Sequence, residues 1–156
     1  MSPLTLAEEL KQKFFDHIDA ADPLQIIIRG HLHLEWQLNS LISNRLIDPS
    51  TIELSEMSFP LRVQLSIALG ILKHDDKGPF LKLNSIRNKL AHKVNYVVTP
   101  KDLRELISSF AGVIHGSYKR ILKLNPEMKE DFLEHLRLCI AILMTYLQEL
   151  GNLDGK

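Results

Sequence analysis

The chain has 156 residues, 45% of them hydrophobic and 24% charged, with 19 basic residues balanced by 19 acidic ones. That composition fits one globular domain, residues 1–156, with a core of its own, and excludes disordered and fibrous classes. Zero net charge argues against holding duplex DNA by electrostatics alone.

Leu6, Leu10, Phe14 and Ile18 step by four and predict a first helix from about Thr5 to Ala20, with Thr5 and Glu8 as a capping box. Asp22-Pro23 pairs an N-cap with proline at the first helical position. The helix it opens runs to about Ile47 and stops before Asp48-Pro49. Apolar residues, among them Ile26, Ile28, Leu32, Leu34, Trp36 and Leu38, surround most of its circumference, which predicts a central element. Glu35 shares the face of Ile28, Leu32, Leu38 and Ile42, so its carboxylate either points to the core, paired or protonated, or reaches out from the rim. His31 lies on the Glu35 face, where it either faces a cleft or, as the favoured reading, packs with a local hydrogen bond. His33 falls on nearly the opposite side, so the two cannot share one metal.

Ser58-Phe59-Pro60 opens a third helix, with Leu61, Leu65, Ala68, Leu69 and Leu72 as its stripe and an end near Lys73. After a loop through Gly78-Pro79, a fourth helix starts at Pro79 or Phe80 and ends just past His92. Asn95 to Val98 is a brief strand or a connector. Thr99-Pro100 starts a helix to about Leu124, loosened at Gly112 and Gly116. Asn125-Pro126 starts the last, which runs from Pro126 to about Leu150 and is released by Gly151. Its several apolar sides make it either the core helix or a face that meets a second subunit. The expected fold is all-α, a single-domain bundle of about five to six helices.

Asp16-His17 and Glu134-His135 are read as solvated pairs, and Cys139, inside an apolar run, as a small core residue. No CxxC, HExxH, glycine-rich phosphate loop or serine triad can be placed, so neither metal nor other cofactor is expected. One cysteine suits a reducing compartment, and Glu8, Glu9, Lys11 and Lys13 interrupt any leader-like start. The longest uncharged apolar run, Leu138 to Leu147, is too short to span a bilayer. A cytoplasmic protein with no membrane partner is the expectation.

The fourth helix carries the unusual chemistry. Leu83, Ile86, Leu90 and Val94 form its apolar stripe, while Asn84, Arg87, Asn88 and His92 fan across an arc of about 140° beside it. A merely solvated face would favour Glu and Lys there. Residues 73–93 carry six basic side chains against two acidic ones, whereas residues 8–22 carry five acidic against two basic, so the helix belongs to the basic end of the molecule, either as a solvated face or, with the polar arc, as a phosphate-attracting patch.

Arg87-Asn88 followed by His92 resembles the signature of the HEPN superfamily, small all-helical domains, many of them metal-independent RNA endonucleases of toxin–antitoxin, abortive-infection and RNA-processing systems. The resemblance implies a homodimer with the motif helices facing each other, an RNA substrate, and an antitoxin protein as a possible partner. In that reading His92 is the acid/base, because imidazole is the motif's only side-chain type that exchanges a proton near neutral pH. Arg87 stabilises the phosphorane, since its planar fork matches phosphate oxygens. Asn88 positions the 2′-hydroxyl or the phosphate. Asn84 and Glu35 support the site, Glu35 by pairing with Arg87, and Lys89 and Lys93 bind RNA. Some members carry Tyr two residues after the His as a modification site; Val94 stands there in this chain, so that regulation is not carried over, and Tyr96 reads as a packing or rim residue. The other reading is a non-catalytic helical module for regulation or assembly, like the mannitol operon repressor-like proteins, with Arg87 and His92 as a ligand pocket or interior partners.

Overall fold

Thr5, Asp22, Ser58 and Thr99 each accept a hydrogen bond from a backbone N–H in the first turn of the helix they start. Thr5 with Glu8, and Thr99 with Asp102, close full capping boxes. In the computed structural model, which describes residues 5–19 and 22–154, these starts belong to a single-domain bundle. Seven α-helices are present among the described residues: α1 (Leu6–Ile18), α2 (Pro23–Arg45), α3 (Phe59–Ala68), α4 (Gly78–His92), α5 (Pro100–Ser108), α6 (Gly112–Leu124) and α7 (Phe132–Asp154). Short 3₁₀ turns fill several connections, and the described residues contain no strand; Asn95 to Val98 is a turn and an extended connector.

The starts of α1, α2, α3 and α5 agree with the sequence; the start of α7 and several ends do not. α3 stops at Ala68 because Gly70 takes φ 76°, and the N–H groups of Ile71 and Leu72 turn back to the Ser66 carbonyl. Ile71 and Leu72 are thereby buried in the core instead of continuing the helix toward Lys73. The single helix expected from Thr99 to Leu124 divides into α5 and α6, which is why there are seven helices and not six. Phe110 is buried in the break, and Gly112 turns the chain with φ 52°. Gly116 sits within α6 and interrupts nothing. Pro126–Glu130 is a 3₁₀ turn, after which the Asp131 carboxylate accepts from the N–H groups of Leu133 and Glu134 and starts α7. Gly151 does not end α7. A Cβ there would meet Leu41 Cδ2 at 3.3 Å, so the glycine serves close packing on α2.

α2 and α7, 23 residues each, cross at the centre, and α2 also packs on α1, α3 and α4. Their crossing is tight at Gly30, where an added Cβ would lie 2.8 Å from Ile140 Cγ2. Ile26, Ile27, Leu34 and Leu38 of α2 are buried with Leu136, Ile140, Leu143 and Leu147 of α7 and with Leu83 and Ile86 of α4. Burying side chains of this size contributes about 1.5–3 kcal/mol each relative to exposure. The apolar faces of α7 are thus used within one chain. α2 is less enveloped than its composition suggests, because Leu32 and Trp36 are 54% and 44% exposed.

Polar ties join the helices as well. The Tyr146 hydroxyl donates to the buried Asp76 carboxylate at 2.6 Å, fixing the loop before α4 to α7. His17 Nδ1 lies 2.8 Å from His33 Nε2 between α1 and α2, and His135 Nε2 lies 2.8 Å from the Tyr118 hydroxyl between α7 and α6. The two histidines expected in solvent are therefore half-buried partners in helix contacts. Among the described residues no helix is long and apolar enough to cross a membrane.

Candidate functional site

Phe80, Leu83 and Ile86 anchor one side of α4 in the core, and this sets where the polar arc falls. Asn84 is buried, Arg87, Asn88 and Lys89 are half-buried, and His92 and Lys93 are exposed. The arc emerges from the interior at one end and reaches open surface at the other.

At the interior end stands His31 of α2, 1% exposed and tilted against the Phe59 ring at 4.5 Å between centroids. Its Nε2 lies 3.0 Å from Asn84 Oδ1, and its Nδ1 lies 3.2 Å from Glu35 Oε1. The second approach is close but poorly aligned, so Nδ1 forms no well-directed hydrogen bond. With the Asn84 oxygen accepting from Nε2–H, a proton on Nδ1 as well requires the imidazolium. With the amide turned over, a neutral ring carrying its proton on Nδ1 satisfies both neighbours.

Glu35 is held below the usual carboxylate range by His31 first, against the opposing effect of burial, with further help from the charges of Arg62 and Arg87. Its near cation is Arg62 of α3, with Nη1 4.0 Å from Glu35 Oε2. Arg62 is 7% exposed; its Nε donates to the Met57 carbonyl at 3.0 Å and its Nη1 to Asn39 Oδ1 at 3.2 Å. The expected direct pairing of Glu35 with Arg87 is replaced: Arg62 occupies the near side, and Arg87 turns along its own helix, Nη1 reaching Asn88 Oδ1 at 3.4 Å. Arg87 acts on Glu35 only through space.

Two concavities open along α4. Glu35, Met57, Ser58, Arg62, Asn84, Arg87 and Asn88 line the first, a polar pocket. Ser85, Asn88, Lys89, His92 and Lys93 line the second, a shallower groove. Pro60, Asn84 and Asn88 belong to both, so the two form one continuous surface. The structure thus brings Arg87 and Asn88 together with Glu35 in one pocket, and Asn88 with His92 in the next.

Lys89 and Lys93 differ. Lys89 Nζ lies 3.8 Å from Asp102 Oδ1 and 5.5 Å from the centre of the Tyr96 ring, so it is drawn toward α5, while Lys93 is exposed. The Tyr96 hydroxyl donates to Asp102, and burial followed by that bond pushes its pKa up to about 12. Burial alone would raise Asp102, but donors from Tyr96 and Thr99 and the Lys89 charge hold it below its usual range. Cys139 is buried, which pushes its thiol up to about 12 and away from nucleophilic use. No group of three or more His, Cys, Asp and Glu side chains among the described residues could hold a metal ion.

Arg62 is the site residue that the sequence reading missed. The stripe assigned to α3 ran through Leu61 and Leu65, yet Leu61 is 47% exposed and the buried side is Phe59, Arg62, Val63 and Ser66. A cation at three- and four-residue spacing within that second stripe was the available signal. No protein-family model, curated protein or solved structure matches this chain.

Proposed function

We propose that the chain is a metal-independent RNA endonuclease of the HEPN kind, a toxin or defence component of the cytoplasm that works as a homodimer. The observation carrying this reading is the accessible arc of α4, where Arg87 and Asn88 line a pocket contiguous with the groove that holds His92. RNA brings its own nucleophile, the 2′-hydroxyl. His92 moves protons, Arg87 stabilises the charge on the phosphorane, and Asn88, common to both concavities, positions the reacting group. Asn84 and Glu35 hold the back of the site, and Lys93, with Lys89 beside it, attracts the strand. The expected products are a 2′,3′-cyclic phosphate and a 5′-hydroxyl.

One copy of α4 does not complete this chemistry. Arg87 and His92 are five residues apart, about 7.5 Å along the axis and about 140° around it. One copy also supplies a single motif imidazole, whereas in-line cleavage uses an acid and a base. Two α4 helices facing each other bring two His92 side chains to one cleft. Cleavage of RNA in excess EDTA by the wild type, lost in His92→Ala, tests the reading.

The second reading, a regulatory or assembly module without catalysis, is favoured by one observation: Glu35, His31, Asn84 and Arg62 engage one another inside the subunit. Toxicity on expression that disappears with Arg87→Ala, together with a neighbouring antitoxin-like gene, favours the nuclease. Tolerated expression without RNA loss favours the module.

A further inference from the structure

We infer that the pocket formed by Glu35, Arg62, Arg87 and Asn88 recognises a guanine base of the RNA strand, beside the groove that takes the scissile phosphate. This assignment rests on the RNA reading above.

The pocket lining brings one carboxylate together with two guanidiniums and with the Asn84 and Asn88 amides. Glu35 Oε1 faces His31, while Oε2, 4.0 Å from Arg62, is beyond hydrogen-bond distance of that cation and has lone pairs to offer. The His31 contact first, and the charges of Arg62 and Arg87 after it, hold Glu35 low and keep it an acceptor at neutral pH. Arg62 spends Nε and Nη1 on Met57 and Asn39, so its remaining N–H groups are left for a base, while Arg87, with only a long contact to Asn88, has N–H groups to share between the base and the adjoining phosphate. Met57 and Pro60 add apolar wall for a ring face.

A ligand matching this set must present adjacent donors to the carboxylate and acceptors to the guanidiniums. Guanine does so: N1–H and the N2 amine stand side by side, with O6 and N7 next to them. Adenine and cytosine each place one amine beside a ring acceptor, which would face the carboxylate, and uracil flanks its single N–H with two carbonyls. An unpaired acceptor against Glu35 is penalised because the pocket is half-buried. The groove beyond Asn88, with Lys93 and His92, lies where the attached phosphate would follow.

Mononucleotides have no internal phosphodiester, so the intact wild-type chain can be titrated directly. Calorimetry with 5′-GMP, 5′-IMP, 5′-AMP, 5′-CMP and 5′-UMP is expected to show GMP binding about tenfold or more tighter than AMP, CMP and UMP. IMP, which lacks only the N2 amine, should bind about tenfold more weakly than GMP, and Glu35→Gln should level the series. Equal binding of GMP, IMP and AMP by the wild type overturns the proposal, as does an unchanged GMP preference in a folded Glu35→Gln protein. If that variant does not fold, the GMP and IMP comparison still decides. The two readings fail separately. Guanine preference without RNA cleavage keeps the pocket and removes the nuclease. Metal-independent cleavage without GMP binding removes the pocket and keeps the nuclease.

Discussion

His92 is exposed at the end of α4, whereas Arg62 is buried among partners, and the two should respond to replacement in opposite ways. His92→Ala is expected to lower RNA cleavage by about 10²–10⁴-fold, below detection over the time the wild type needs, while leaving the thermal midpoint unchanged in calorimetry. Arg62→Ala removes the donor to the Met57 carbonyl and Asn39 and the near counter-charge of Glu35, so a loss of about 1–3 kcal/mol is expected in urea unfolding. A stability equal to wild type would show that the buried network contributes little. The histidines set the pH response. Burial, with the His17 charge added, lowers His33, and burial, with the Lys129 charge added, lowers His135. Below about pH 6.5 the unfolded chain therefore binds more protons than the folded one, and stability falls as pH drops. Melting curves at pH 7.5 and 5.5 should show this loss, and His33→Gln should reduce it. The lowered carboxylates Glu35 and Asp102 add a second loss further down, as pH falls below about 4.5 and through their depressed folded values.

At the scale of elements, the α2–α7 crossing is the most demanding contact. Gly30→Ala places a methyl group 2.8 Å from Ile140 Cγ2 and should destabilise by about 1–3 kcal/mol. A neutral Gly30→Ala in chemical denaturation would mean that the helices move apart freely. Four helix starts were legible in the sequence because a cap is local: Thr5, Asp22, Ser58 and Thr99 act within three residues of themselves. The start of α7 and the ends of α3 and α5 were not. Whether the chain leaves α3 at Gly70 or breaks at Gly112 depends on where Ile71, Leu72 and Phe110 find core, and that is settled by other helices. The site divides along the same line. Arg87, Asn88 and His92 lie within six residues on one helix and can be read directly. The Arg62 contacts and the His31 to Asn84 link join α2, α3 and α4 across 23 and 53 residues of sequence, so no local pattern encodes them.

For the whole molecule, the proposed nuclease site needs two chains. With α7 buried in its own bundle, the larger exposed apolar residues of α2 are Leu24, Leu32 and Trp36, and they remain outside the core of one subunit. Sedimentation should find a dimer at micromolar concentration; a clean monomer contradicts the two-copy site. If one cleft uses both His92 side chains, an equal amount of His92→Ala chain, exchanged into the wild type with RNA in excess, should cut its activity to about half. Unchanged activity would assign a complete site to each subunit.

The most direct measurement is the chemistry of the cut ends. RNA incubated with the wild-type protein in excess EDTA and analysed by mass spectrometry should yield 2′,3′-cyclic phosphate and 5′-hydroxyl termini, none of them formed by His92→Ala. Intact RNA with the wild type, or termini that persist when His92 is replaced, would contradict the account.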